Sequence, residues 1–462
     1  KNYGQDSPMG IEGHKGADIG VLKAWQTHKG SKDIVVAVID TGVDYSHPDL
    51  VSNMWVNLKE KNGVPGVDDD GNGYVDDIHG WDSVSDHRDR PYFGQVGDPD
   101  PMDDYGHGTH VAGTIGAVGG NGIGVVGVNW SVSIMAVKFL DEFGSGSTID
   151  EYRAFKYILA NKVDVVNGSY GGGGRSRLIE GMIQKGREQG ILFVFAAGNE
   201  TENLDVTPGY PASYPYDNVV SVAATDARDQ LADFSNYGQT SVHVAAPGVD
   251  IYSTIPTKMK DEMGQWKTVD QPYASYSGTS MASPHVAGAA ALLIAADTSL
   301  RHQPHLTKQR LMDTSELVPT LANAVVARGR ISVDRAIANQ TQSSLDLAGV
   351  WEEVEVNIQT PKFPQELVDN SWQLHYPGAK AIQVHVKFAQ VESGFDVAYL
   401  YDYRFRPVLN LTGEVYDKWS PVIVGDSAYL KFSNSLVKIG DREAFANFNS
   451  EGVQIDKVKI LK

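Results

Sequence analysis

Residues 33–40, Asp-Ile-Val-Val-Ala-Val-Ile-Asp, constrain the fold more than any other stretch of this chain. They form a mostly β-branched apolar run that closes on an acid and a Thr-Gly turn. A strand with one wet face alternates apolar and polar residues, whereas a continuous run must be buried on both faces, as in a parallel sheet covered by helices. Similar runs recur at Val132–Val137, Val163–Val166, Ile191–Ala197 and Val219–Ala223. Between them lie stretches with helical spacing: Val111–Ala117, Ile149–Asn161 and Leu178–Gln189. The pattern continues through a long helix near 279–296 and a helical stretch around Leu306–Leu317. This alternation predicts an α/β domain with a parallel sheet, whose functional groups collect at the carboxyl ends of the strands. Asp40 stands at one such end, and Gly198-Asn199 follows another.

The character changes near residue 340. Gln340-Thr-Gln-Ser-Ser reads as a polar linker, and alternating Val, Ile, Phe and Tyr follow at Ile382–Phe388, Phe395–Tyr401 and Ala428–Phe432. The expected organisation is therefore an α/β domain over 1–340, a linker over 341–349 and an all-β sandwich over 350–462. The longest apolar run, Val286 to Ala296, covers 11 residues. A membrane span needs roughly 20, so this run is expected to be a buried helix. The formal charge of −19, with acids gathered between Asp68 and Asp104, argues against nucleic acid as a partner. Cysteine is absent, which excludes disulfides, thiolate metal ligands and a Cys nucleophile. Lys1 opens a polar stretch rather than a basic, apolar leader, as either a processed mature protein or a cytosolic one would.

Three segments carry candidate chemistry. They are Val38-Ile39-Asp40-Thr41-Gly42, closing later on His47-Pro48-Asp49-Leu50; Gly106-His107-Gly108-Thr109-His110; and Ser277-Gly278-Thr279-Ser280-Met281-Ala282-Ser283-Pro284-His285. A serine hydroxyl is a weak nucleophile until an imidazole takes its proton, and the imidazole needs a carboxylate to fix its tautomer and stabilise its cation. An acid at a strand end and the other two groups at helix starts would place all three on rigid elements. A helix start also lends Ser280 the positive potential of unpaired backbone N–H groups. His110, three residues after His107, suggests a metal pair, but no third ligand follows at a suitable spacing.

In order and content, these segments resemble the three signature blocks of the subtilisin-like serine proteases, over roughly residues 1–340. The resemblance implies a secreted serine endopeptidase acting on protein or peptide substrates, with an N-terminal propeptide removed during maturation. Asp40, His107 and Ser280 would form its triad. Ala196-Ala197-Gly198-Asn199 resembles the segment whose Asn side chain donates to the oxyanion, a bond worth ~3–4 kcal/mol in the transition state. Gly144-Ser145-Gly146 and Ser169-Tyr170-Gly171 resemble the two extended segments that pair with a bound peptide. Gly209-Tyr210-Pro211 resembles the floor of the primary specificity pocket, and Glu200 is either an acid at its rim or a solvated surface acid. Gly168 departs from the family, which usually has a larger residue there.

Asp68-Asp69-Asp70-Gly71-Asn72-Gly73-Tyr74-Val75-Asp76-Asp77 reads as a Ca²⁺ loop without an EF-hand. Asp68, Asp70, Asn72, Asp76 and Asp77 would supply side-chain oxygens and Tyr74 a carbonyl; an acidic turn is the alternative. His107 lies 67 residues after Asp40, more than compact family members need, and the extra length holds this loop. The resemblance implies a second calcium loop at 119–125. Asp49, Asn121 and the carbonyls of Gly119, Ile123 and Val125 would be its ligands, with Gln5 or Asp6 completing it; the alternative is a Gly-rich turn. Residues 350–462 resemble either a CUB-like sandwich or a jelly roll. In the CUB-like case Glu392 and Asp396 would be an acid pair, without the third acid that family has after Phe432. The rival to an enzyme is a catalytically inert peptide-binding protein on a protease scaffold, which would normally have lost one of the four groups; all four are present.

Overall fold

The computed structural model of this chain describes residues 13–84, 96–260, 265–341, 350–360, 369–391, 396–402, 407–411, 413–420, 422–434 and 452–462. The chain divides into two compact units, residues 1–342 and 343–462.

The first unit is built on a nine-stranded sheet. In chain order its first seven strands are β1 (Gly30–Asp40), β2 (Gly80–Asp82), β3 (Ser131–Lys138), β4 (Val165–Gly168), β5 (Leu192–Ala196), β6 (Val219–Thr225) and β7 (Val244–Pro247). In space the order is β7-β6-β5-β4-β1-β3-β2, every pair parallel. Gly329–Arg330 extends the sheet beyond β7, and Glu316–Leu317 closes that edge as its antiparallel strand. The helical stretch expected around Leu306–Leu317 is shorter, Pro304–Asp313. Thr314 and Ser315 turn their hydroxyls back onto the carbonyls of Arg310 and Leu311 and end it.

The helices of this unit that matter below are, after two short ones at α1 (Val21–Ala24) and α2 (Leu58–Lys61), α3 (His107–Gly116), α4 (Thr148–Ala160), α5 (Arg177–Glu188) and α6 (Thr279–Ala296). On one face α3 and α6 pack over β1, and α6 continues across β4–β7 with Val286, Leu292 and Leu293 fully buried. On the other face α4 and α5 cover β3 and β5 through Phe155, Ile158, Met182 and Ile183. Both faces are therefore dry, which is why the strands carry continuous apolar runs rather than alternation. Helix α6 is the one helix among the described residues long and apolar enough to cross a membrane, and 78% of it is buried within the protein.

Chain order explains where the site can form. The chain leaves β3 on one side of β1 and re-enters as β4 on the other, so the connections part above the carboxyl end of β1. Crevices for ligands open at such points. Asp40 ends β1 there, and β4 and β5 end beside it on Gly168 and Ala196.

The second unit consists of two antiparallel sheets. One holds Trp351–Gln359, Gly452–Leu461, Ala381–Val391 and Gly413–Trp419, with Ile423–Val424 also paired to Ala381–Val391. The other holds Asp369–His375, Ser427–Asn434, Asp396–Asp402 and Pro407–Leu411. Val384, Val386 and Ile455 from the first sheet and Leu400, Leu430 and Phe432 from the second share one core, the signature of a sandwich. Glu392 lies outside the described residues.

Candidate active site

Asp40 is fully buried, and its Oδ1 accepts from His107 Nδ1 at 2.7 Å and from the Thr41 N–H at 2.7 Å. Because Nδ1 carries the donated hydrogen, Nε2 of a neutral His107 is left as an acceptor. Burial alone would lower the pKa of His107. The charge and hydrogen bond of Asp40, helped by Asp103, outweigh it and raise the pKa above the ordinary value of 6.5. Asp103 is itself fully buried and holds the surrounding turn. One of its oxygens accepts from Thr41 Oγ1 and the N–H groups of Tyr105 and Gly106, the other from Thr109. Lys138, also buried, anchors the same region through the carbonyls of Thr41 and Leu140 and the carboxylate of Asp104.

Ser280 is the second residue of α6. Its hydroxyl donates to the Ser169 carbonyl at 2.9 Å, and the Ser169 hydroxyl donates back to the Ser280 carbonyl at 2.8 Å. The sequence accounts for this exchange. Pro284, four residues on, has no N–H to give the Ser280 carbonyl, so that carbonyl is free to take a side-chain donor. Asn167, buried at the end of β4, links Ser169 to Ser283 and so ties this strand to the first turns of α6.

Asn199 is exposed just beyond β5. Its Oδ1 accepts from the Thr279 N–H at 2.9 Å and from Thr279 Oγ1 at 3.0 Å, which turns Nδ2 away from the helix. Gly278 has extended backbone that any residue could adopt, so its glycine answers to space. A Cβ there would stand 3.6 Å from Ser280 N and 3.7 Å from Asn199 Nδ2. Two N–H donors therefore border one small space that a side chain at 278 would fill.

Gly144, Ser145, Gly146, Tyr170 and Gly171 border a cavity of about 320 Å³, with Tyr210 and Pro211 on its wall. Ser169, outside that lining, is buried and bonded to Asn167 and Ser280. Gly209 precedes Tyr210 without lining this cavity. The Glu200 carboxylate accepts from Asn236 Nδ2 at 2.6 Å, which ties this acid to a segment 36 residues on. At Gly168, Phe195 occupies the place of the larger residue: a Cβ there would meet its ring at 2.6 Å.

In the acidic loop, Glu60, Asp68 and Asp70 each bring one carboxylate oxygen within 4.8 Å of the other two. Glu60 lies on the short α2 outside the motif, and sequence reasoning missed it. Asp76 and Asp77 turn elsewhere. The Asp76 carboxylate accepts from the Gly66 N–H, and fully buried Asp77 accepts from Asn57, Asn72 and Tyr157. Burial raises Asp77 to about 7. Asn72 Oδ1 accepts from the Tyr74 N–H. At the second loop, Asp49 accepts from Asn121 Nδ2 at 2.6 Å and from the Val125 N–H at 2.9 Å, and the Ile123 N–H donates to Asn121 Oδ1. The Gly119 N–H donates to the Trp130 carbonyl. Gln5 and Asp6 lie outside the described residues.

A parallel-sheet domain with a buried acid at a strand end, and an imidazole and a serine at two helix starts, defines a class, and the comparisons agree with it. The model of the subtilase family matches residues 31–349. The chain belongs to that family. The subtilisin-like protease 1 of Plasmodium falciparum is 34% identical over 339 residues, which is 68% of this chain and 46% of that protein. Subtilisin amylosacchariticus of Bacillus subtilis subsp. amylosacchariticus is 35% identical over 337 residues, 72% of each protein. Among solved structures, a protease from Pseudoalteromonas arctica superposes with a TM-score of 0.55 at 28% identity, covering 70% of this chain and 94% of that one. The chain spans about half the length of the Plasmodium relatives it matches.

Proposed function

We propose that this chain is a secreted serine endopeptidase that cleaves peptide bonds through an acyl-enzyme on Ser280. The observation that carries the reading is the Asp40–His107 hydrogen bond of 2.7 Å, set at the carboxyl end of β1. It leaves His107 Nε2 as the base. In the reaction the Ser280 hydroxyl turns from the Ser169 carbonyl to Nε2, its oxygen attacks the scissile carbonyl carbon, and its proton passes to His107. The oxyanion forms in the space bordered by the Ser280 N–H and Asn199 Nδ2. Collapse breaks the C–N bond, with the imidazolium proton going to the leaving amine, and water then repeats the sequence to release the acid. A fluorophosphonate probe should label the wild-type protein on the peptide that holds Ser280; hydrolysis with no such label would overturn the reading.

The oxyanion role has its own check. With Thr279 holding Asn199 by Oδ1, Asn199→Ala removes only the free donor. We expect kcat to fall by about 10²–10³ with KM little changed, a magnitude that comes from subtilisin itself. Unchanged turnover would show that Asn199 does not serve the oxyanion.

Calcium fits this chain at the acidic loop, where Glu60, Asp68 and Asp70 would hold it by carboxylate oxygens, and at the loop around Asp49, Asn121 and Val125. When bound it supplies positive charge that holds mutually repelling carboxylates together. A metal that binds only the folded form adds ~2.7 kcal/mol at a hundredfold excess over its dissociation constant. In Ser280→Ala protein, which cannot digest itself, calcium should raise the Tm over that in EDTA, and Glu60→Gln should shrink the difference. In wild type, EDTA should speed autolysis, with early cuts between residues 56 and 104. A Tm indifferent to calcium would remove the metal from the proposal.

A further inference from the structure

The cavity beside the two extended segments holds a feature that the hydrolytic chemistry leaves unused. Its wall combines glycines and serines with the apolar and aromatic side chains of Phe139, Leu140, Tyr170, Ile179 and Tyr214, and Glu151 of α4 also lines it. The Tyr170 hydroxyl donates to Glu151 Oε1 at 2.8 Å, and this is the one hydrogen bond to that carboxylate among the described residues. Among the described residues no lysine or arginine lines the cavity. Arg153, two residues on, pairs with Asp150, and Arg175, which precedes the lining residue Ser176, pairs with Glu180. Glu151 is not needed to start α4 either, because Ser147 and Asp150 already close a capping box there. A carboxylate placed among rings without a cation is costly, and burial accordingly raises Glu151 to about 7.

We infer that this cavity is a subsite for a basic side chain of the bound peptide, with Glu151 as its counter-charge and Tyr170 as the group that aims it. The inference rests on the endopeptidase reading, since a peptide lying along Gly144–Gly146 and Tyr170–Gly171 is what brings a side chain to the cavity mouth. A lysine or arginine suits it because the methylene stem packs along apolar wall while the cationic head reaches the acid. The guanidinium or ammonium can also lie against a tyrosine face. Glu151 thereby acts as a specificity residue distant from the reacting atoms: neither Ser280, His107 nor Asn199 lines the cavity.

The test uses a set of quenched peptides in which each position on either side of the cut bond carries in turn lysine, leucine or glutamate. Wild-type protein should show one position, a few residues from the cut, where lysine exceeds leucine about tenfold or more in kcat/KM and glutamate is rejected. Glu151→Gln should remove that preference at that position alone, and Glu151→Leu should invert it towards leucine. Both variants should react with a small fluorophosphonate at the wild-type rate, which shows that the fold and reaction centre are intact. Tyr170→Phe, which keeps the ring and removes the hydroxyl, should weaken the lysine preference without abolishing it. Wild-type and Glu151→Gln profiles that coincide at every position, with labelling intact, would overturn the subsite. Absence of labelling in the wild type would instead overturn the endopeptidase reading on which it stands.

Discussion

Ser280→Ala is expected to abolish both peptide hydrolysis and fluorophosphonate labelling while leaving the fold in place. The expected loss in kcat is about 10⁶, the size found when the nucleophile of subtilisin is removed. The structural cost should be small. The hydroxyl of Ser280 makes one hydrogen bond, to the Ser169 carbonyl, and its own carbonyl keeps the bond from Ser169 Oγ, which does not depend on the Ser280 side chain. Circular dichroism and thermal melting in calcium should therefore match the wild type to within a few degrees. A variant that still turns over peptide at a tenth of the wild-type rate would transfer the nucleophile to another residue.

Asp40→Asn should lower kcat by about 10⁴ and also move the pH profile. The amide can present an N–H where the carboxylate presented an acceptor, so the His107 Nδ1–H loses its partner and the ring is driven to the wrong tautomer. The sign of the pH effect follows from the native pKa. His107 works as a base only when neutral, so activity falls as pH drops through its pKa. Burial pulls that pKa down, and the charge and hydrogen bond of Asp40 hold it up. Removing the Asp40 charge leaves only Asp103 to oppose burial, so the acidic limb of kcat/KM should shift to lower pH while the plateau collapses. A lower plateau with an unmoved limb would mean that Asp40 orients the ring without setting its charge.

Much of the fold was legible in local pattern. The buried runs ending at Asp40, Val137, Ala197 and Ala223 anticipated β1, β3, β5 and β6, because a strand covered on both faces has no polar positions to spare. Short strands were harder to read. β2 has three residues, too few for periodicity to register, and its neighbour in the sheet defines it as a strand. Gly168, a departure from the family pattern, made sense only beside the Phe195 ring that fills its place.

The sequence by itself determined which groups could carry chemistry: an acid at the end of a buried strand, a histidine and a serine at helix starts, an asparagine past another strand, and acids spaced for a cation. Those choices rest on residue type and on interactions within a few positions, which any short segment carries with it. Only the tertiary structure decided how the groups are aimed. Thr279 orients Asn199 across 80 positions, and Ser169 engages Ser280 across 111. Glu60 joins Asp68 and Asp70 from a separate helix, while Asp77 is drawn away by Tyr157. Glu151, one of two acids opening α4, faces a cavity whose other wall lies beyond β4. The physical reason is the same in each case: a side chain's partner across such separations depends on which faces pack together, and that packing belongs to the whole chain rather than to any segment of it.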